Sequence, residues 1–480
     1  MSEDTQPLLK PRSRPLWTLA AMREATGGRL VGATDGMITG ISIDSRSLTA
    51  GEAYFAIKGD VHDGHSFVSA AAQNGAAVSV VAEAKVPGLD DDHGVLLVVD
   101  DVLGALENLG KAARARCQGQ IIAITGSVGK TTTKEALRVA LSACGAVHAS
   151  VASFNNHWGV PLTLARMPQD TEYGIFEIGM NHPNEISPLV QMVRPHVAMI
   201  NNVAPVHLGA FDSVDGIAHA KAEIFDGLDG DGTAVLNADD GRVGMLSDIA
   251  RAKGISRIVT FGESEGADVH CDKLVEHAEC SCLTATVFGT QMMAKIGSPG
   301  RHIAQNALAV LGIVSLVGAD LAKAGLALAH LAPVKGRGQR HTLTMKGGQA
   351  VLIDESYNAN PASIRAMLTM LSAVAPDGRG RRIAVLGDML ELGSQSANLH
   401  AGLADAVLES GVDLVLLAGP EMTALRDALH GSVSVSHADD VNALTPMVHE
   451  VLNDGDVIAV KASLGLRFGA LVDDLLSAYA

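Results

Sequence analysis

Aromatic residues are scarce in this chain, 3% of 480 residues, so its cores must be built from Ala, Val, Leu and Ile with closely packed helices. Charge is also sparse, at 19%, and unbalanced: 36 Lys and Arg stand against 53 Asp and Glu, a formal net charge of −17. Such a balance argues against a nucleic-acid surface, which needs clustered Lys and Arg, so any polyanionic ligand must be held locally. The five cysteines, Cys117, Cys144, Cys271, Cys280 and Cys282, are odd in number and scattered. They imply no disulfide framework and fit a reducing cytoplasm. No run approaches the roughly 18 apolar residues of a membrane span. The opening MSEDTQPLLKPRSRPLW carries acids and prolines where a signal peptide needs an unbroken apolar core. The expectation is a cytoplasmic protein with no membrane span, a mobile tail over residues 1–15, and a monomeric state.

At 47% hydrophobic content, and with this length, the chain reads as about three packed α/β domains. Residues 16–109 read as a small α/β unit, ending in the strand Leu96–Val99 and an amphipathic helix from Val102 to Arg116 that carries the chain onward. Residues 110–334 alternate apolar runs with helical patterns, at Ile121–Thr125, Tyr173–Ile178, Val197–Asn201, Thr233–Asn237 and Arg257–Phe261. Strands separated by helices predict a parallel sheet covered on both faces, with ligands at the carboxyl ends of its strands. Asp268–Ile296 alternates like antiparallel strands, and a helix follows from His302. After the basic, glycine-rich connector Pro333–Arg340 the alternation restarts over residues 335–480. There Asn360 is the predicted N-cap and Pro361 the first residue of a helix.

The stretch Ile122–Thr133, IAITGSVGKTTT, sets an apolar strand directly before a glycine-turned loop and a helix-compatible run. In such a loop backbone N–H groups and the helix N-terminus face an anion, while the lysine and threonine reach terminal phosphates and Mg²⁺. Gly126, Ser127, Val128, Gly129, Lys130, Thr131 and Thr132 are therefore candidate ATP contacts, although the spacing is shortened: Ile124 stands where the general pattern has its first glycine. The alternative is an ordinary strand-to-helix turn.

Glu177 closes another apolar strand, where a carboxylate can join Thr131 on Mg²⁺ or simply end the strand. Lys221 shares the inward arc of a helix with Ile217 and Ile224. Burial disfavours its charge unless it is paired, modified or snorkels to solvent. His270, Cys271, His277, Cys280 and Cys282 have zinc-ligand chemistry, but they lack a C-x₂-C pair and lie in a strand-like run.

Together TGSVGKTTTKEAL, SFNNHWGVPLTL, EIGMNHPNEI, NNVAPVHLGAFDS, IDESYNANPAS and AVLGDMLELG resemble the Mur ligases of peptidoglycan synthesis, from about Trp17 to the end. The resemblance implies a uridine-nucleotide domain, a central P-loop ATPase domain and a Rossmann-like carboxyl-terminal domain. Within the family the strings are most similar to the member that joins D-alanyl-D-alanine to UDP-N-acetylmuramoyl-tripeptide through an acyl phosphate.

It further implies Lys130 on ATP phosphates, Thr131 and Glu177 on one Mg²⁺, and His207 with a carbamylated Lys221 on a second. Asn306, Arg337, Asp354 and Asn358 are implied nucleotide contacts. Ser45, Arg46, Asp63 and His65, within DSR and GDVHDGHSF, are implied contacts of the sugar nucleotide. The chain departs from the family at His302-Ile303, where His-Asn is usual, and at Lys461-Ala462-Ser463, where Lys-Gly-Ser is usual. A related ligase adding the third residue, a folylpolyglutamate synthetase and a non-ligase P-loop ATPase are the competing readings.

Overall fold

The computed structural model describes residues 15–59, 62–151, 153–206, 209–277 and 279–480. Most of the expected tail and His207 lie outside these described residues. Two compact units emerge, Met1–Ala123 with Gly145–Ile178 and Pro188–His196, and Ile124–Cys144 with Gly179–Ser187 and Val197–Ala480.

In the first unit a five-stranded sheet runs in the order Arg29–Val31, Leu96–Val99, Val78–Ala82, Ala53–Phe55, Ile41–Ser42. The first strand is antiparallel to its neighbour and the rest are parallel. Helix Val102–Arg116 is unbroken through Gly110, and Val102, Ala105, Leu106, Leu109 and Ala113 form its buried stripe. It packs on helix Gly159–Ala165, and Gly110 lets the two approach: a β-carbon there would sit 3.1 Å from the Pro161 carbonyl. Leu106 and Leu109 join Phe55, Val78, Val80 and Leu97 in one core. Trp17 donates from its indole N–H to the Ala165 carbonyl at 2.9 Å, beneath the Arg116 guanidinium.

In the second unit the strands Val197–Ile200, Thr233–Asn237, Arg257–Gly262 and Val269–Glu276 are parallel, and Ser281–Val287 and Thr290–Ile296 continue them antiparallel. Helix Arg301–Leu316 packs on helix Lys130–Ser142 and is buried almost all round, as its run of Ala, Leu, Val and Ile demands.

A second sheet in this unit orders Gln339–Thr344, Gln349–Asp354, Val457–Lys461, Arg382–Gly387, Leu414–Ala418, Ser434–Ala438. All its pairings are parallel except the first. Separate apolar clusters cover its faces, one around Ile364, Leu368 and Leu425, the other around Leu444, Phe468 and Leu475. The expected cap is present: Asn360 Oδ1 accepts the Ser363 N–H at 2.9 Å and Ser363 Oγ accepts the Asn360 N–H at 3.0 Å.

Two elements differ from expectation. The connector ends early, because Gln339 and Arg340 pair with Asp354 and Ile353 in an edge strand. Ser434–Ala438 forms the opposite edge without the apolar run that a buried strand shows. The His and Cys residues at 270–282 belong to a β-hairpin, with the His277 N–H donating to the Cys280 carbonyl at 2.9 Å. Among the described residues no group of three or more His, Cys, Asp or Glu could hold a metal ion, and no helix is long and apolar enough to cross a membrane.

Candidate active site

Helix Lys130–Ser142 begins at Gly129, whose φ of 81° is open to glycine at little steric cost. A β-carbon at Gly129 would also collide with the Asn201 amide. Lys130, Thr131 and Thr132 thus open a helix at the end whose dipole and N–H groups favour an anion. Lys130 folds back over the loop and donates from Nζ to the Gly126 carbonyl at 2.7 Å.

The loop is upheld by two asparagines after strand Val197–Ile200. Asn202 accepts the Ser127 N–H on its carbonyl and the Val128 N–H on Oδ1, both at 3.0 Å. Asn201 donates from Nδ2 to the Val128 carbonyl at 2.9 Å and to Asn306 Oδ1 at 3.0 Å. Ser127 Oγ accepts the Ala204 N–H at 2.9 Å. The N–H groups of Ser127 and Val128, two of the predicted phosphate contacts, are therefore turned to Asn202. Sequence reasoning did not single out Asn201 or Asn202; an amide pair directly after an apolar strand was the available signal.

Lys221 lies on helix Val214–Ala222 among Ile217, Ala218 and Ala220, and it is buried. The snorkelling alternative does not hold. Burial and then the charge of Lys130 press its pKa well below the usual lysine value, which favours the neutral amine. Glu177 ends strand Tyr173–Glu177, is also buried, and accepts from Asn155 Nδ2 at 2.7 Å. It belongs to the first unit and the loop to the second.

Further along the second unit, Arg337 stacks on the Tyr357 ring, its guanidinium carbon 4.2 Å from the centroid. Asp354 is buried: one carboxylate oxygen accepts the Gly336 N–H at 2.9 Å and the other the Ser356 N–H and hydroxyl at 3.0 and 2.6 Å. That carboxylate shapes the connector. Asn358 is exposed, and its Oδ1 accepts the Ala359 N–H at 2.9 Å. Lys461 pairs with Glu355 at 2.9 Å, and Ser463 Oγ accepts the Leu390 N–H at 2.9 Å. The Ala462 methyl packs beside Gly387.

In the first unit, Asp44 accepts Arg46 Nε and Nη2 at 2.9 and 2.7 Å, a bond pair that holds the Asp44 pKa down to about 2. Ser45 is buried, and its carbonyl accepts Asn74 Nδ2 at 2.8 Å. Asp63 accepts the Lys85 ammonium at 2.8 Å and His65 Nδ1 at 2.6 Å, and Lys85 foremost holds its carboxyl well below the usual range. Lys85 was not anticipated from sequence.

Strand, loop, basic helix start and parallel sheets define an α/β protein of the P-loop type. Family profiles then match most of the chain: the Mur ligase middle domain over residues 124–314, the Mur ligase glutamate ligase domain over 336–464, and the Mur ligase family catalytic domain over 37–114. The chain belongs to the Mur ligase family.

Two curated relatives are UDP-N-acetylmuramoyl-tripeptide–D-alanyl-D-alanine ligases. That of Rickettsia prowazekii is 33% identical over 90% of this chain and 94% of its own, and that of Escherichia coli is 32% identical over 95% and 96%. Among solved structures, MurF from Acinetobacter baumannii aligns with a TM-score of 0.80 at 29% identity, covering 96% of this chain and 99% of its own. MurF ligase from Thermotoga maritima in complex with ADP aligns with a TM-score of 0.72 at 24% identity over 92% and 98%, a likeness of fold.

Proposed function

We propose that this chain is an ATP-dependent ligase that joins D-alanyl-D-alanine to UDP-N-acetylmuramoyl-tripeptide in cytoplasmic peptidoglycan precursor synthesis. The observation that carries this reading is the near full-length similarity, above 30% identity, to ligases of that name. In the reaction the tripeptide carboxylate attacks the γ-phosphorus of ATP, ADP leaves, and an acyl phosphate forms. The dipeptide amine then attacks the carbonyl carbon, phosphate leaves with the bonding pair, and the nitrogen loses a proton to give the amide.

Lys130 and the N–H groups of Gly129 to Thr132 offset charge on the phosphates, while Asn201, Asn202 and Asn306 keep the loop in shape. Thr131 and Glu177 offer hard oxygen donors of the kind Mg²⁺ takes, and both are buried. Held by these donors, Mg²⁺ would supply charge neutralisation at the phosphates. His207 and Lys221 complete the proposed metal set. A neutral, buried Lys221 amine is suited to adding CO₂, which converts it to a carboxylate-bearing carbamate with release of a proton. Asn306, Arg337, Asp354 and Asn358 make up the rest of the nucleotide side, Asp354 through the connector it braces. Ser45, Arg46, Asp63 and His65 serve the sugar nucleotide. The domains divide at residues 16–109, 110–334 and 335–480, and the protein works as a monomer.

The test is to incubate the protein with ATP, Mg²⁺, D-alanyl-D-alanine and UDP-tripeptides ending in diaminopimelate or lysine, and to weigh the product. A pentapeptide nucleotide with matching ADP is expected. Full ATP turnover without the dipeptide, or amide formation only with a single amino acid or glutamate as acceptor, would overturn it.

A further inference from the structure

Strands Val197–Ile200 and Thr233–Asn237 lie side by side and parallel, with Ile200 opposite Leu236, so Asn201 and Asn237 stand at matched positions at the carboxyl end of the sheet. Asn237 opens a tight turn. Its Oδ1 accepts the Asp239 N–H at 2.9 Å and its carbonyl accepts the Asp240 N–H at 3.2 Å, which fixes the turn before helix Val243–Ala252 begins.

Two side chains of this turn reach the segment after the neighbouring strand. Asn237 Nδ2 donates to the Asn201 carbonyl at 3.2 Å, and Asp240 Oδ2 accepts the Val203 N–H at 2.6 Å. Asn202 is thereby bracketed on both sides, and its own carbonyl and Oδ1 grip the Ser127 and Val128 N–H groups. The other oxygen of Asp240 accepts the Arg242 N–H at 2.9 Å, so each N–H has its own oxygen, where an amide side chain would offer one. Asp239 serves a different neighbour: it accepts the Glu263 N–H at 2.9 Å and the Ser264 N–H and hydroxyl at 2.8 and 2.6 Å. Of two adjacent carboxylates in one turn, one holds the segment that grips the phosphate loop, and the other holds the chain leaving strand Arg257–Gly262.

We propose that Asp240 and Asn237 are positioning residues for nucleotide binding, acting through Asn202 on the phosphate loop. The inference rests on reading Gly126 to Thr132 as the nucleotide loop. A charged acceptor holds an N–H more tightly than a neutral one, so the bond from Val203 to Asp240 is the stronger of the two ties. Asp240 therefore matters more than Asn237.

The test follows the ligand-free full chain by amide hydrogen exchange over residues 124–132 and titrates it with ADP by calorimetry. Asp240→Ala should speed exchange in the loop and weaken ADP about tenfold each, and Asn237→Ala about threefold. Asp240→Asn, which keeps one acceptor oxygen, should fall between wild type and Asp240→Ala. In steady state the Asp240 variants should raise KM for ATP while KM for the dipeptide holds. Asp239→Ala is the control, because it breaks hydrogen bonds of the same turn; it should lower the melting temperature yet leave loop exchange and ADP affinity within about twofold. Unchanged loop exchange and ADP affinity in Asp240→Ala, or equal shifts in Asp239→Ala, would overturn the inference even though wild type binds ADP. Wild type that does not bind ADP would remove the nucleotide reading of the loop itself. Should Asp240→Ala not fold, Asp240→Asn and Asn237→Ala carry the same comparison.

Discussion

Asn306 accepts a hydrogen bond from Asn201 at 3.0 Å while the same Asn201 amide holds the Val128 carbonyl at 2.9 Å, so one side chain ties the phosphate loop to helix Arg301–Leu316. Asn306→Ala removes a buried acceptor and should cost about 1–3 kcal/mol of stability. It should also raise KM for ATP by about tenfold as the loop loosens. Asn306→Asp keeps an acceptor oxygen and should do less. Urea melts and steady-state kinetics on both variants check this; a loss of stability with an unmoved KM would separate the tie from nucleotide binding.

Lys221 makes the opposite prediction for stability. Its folded-state pKa is lowered, so between that value and the ordinary lysine value the unfolded chain binds the extra proton and stability rises with pH. Its contribution is complete above the ordinary value and lost as pH falls through the lowered one. Lys221→Met removes the buried amine, so the variant should melt higher than wild type in CO₂-free buffer while losing about a thousandfold or more in turnover. Bicarbonate should raise the wild-type melting temperature and leave the variant's unchanged.

Tyr54 supplies an alkaline signature. Its hydroxyl donates to the Gly64 carbonyl at 2.9 Å, and its pKa is raised to about 12 from 10.0. Between those values the unfolded chain has lost the proton that the folded chain retains, so stability falls as pH rises. Tyr54→Phe should lose about 1 kcal/mol at neutral pH through the missing hydrogen bond and show a shallower alkaline decline. Denaturant melts across the alkaline range, with tyrosinate absorbance followed in parallel, give both quantities.

Gly387 faces the departure at Ala462. A β-carbon at Gly387 would lie 2.7 Å from the Ala462 methyl and 2.6 Å from the Phe468 ring. Gly387→Ala should therefore destabilise by about 1–3 kcal/mol. Adding Ala462→Gly should return part of it, because the Phe468 contact remains. A double-mutant cycle by chemical denaturation measures the coupling, and strict additivity would show that the two positions do not share the space.

Regular strands could be read because their periodicity is local: Thr233–Asn237 and Arg382–Gly387 begin and end where their apolar runs do. The Asn360 cap was equally local, since Pro361 and Ser363 sit within one turn. Ser434–Ala438 could not be read that way, because an edge strand with Ser and His gets its conformation from Leu414–Ala418 beside it. The same limit applies to side chains. Lys130 and Lys221 could be singled out from a loop pattern and from a charge on an apolar arc. The grip of Asn202 on Ser127 and Val128, and that of Lys85 on Asp63, join residues far apart in sequence. His65 shows the reverse case: a ring suited to ligands is fully engaged by Asp63 and Ala82.

Because Asn202 and Ser127 already hold the phosphate loop in its turn, the loop owes its shape to the protein and not to what it binds. Ordering a loop costs affinity when a ligand must do it, and here that cost falls on folding instead. Nucleotide capture should then behave as a single diffusive encounter, with an observed rate linear in nucleotide concentration and no slow phase as the loop sets.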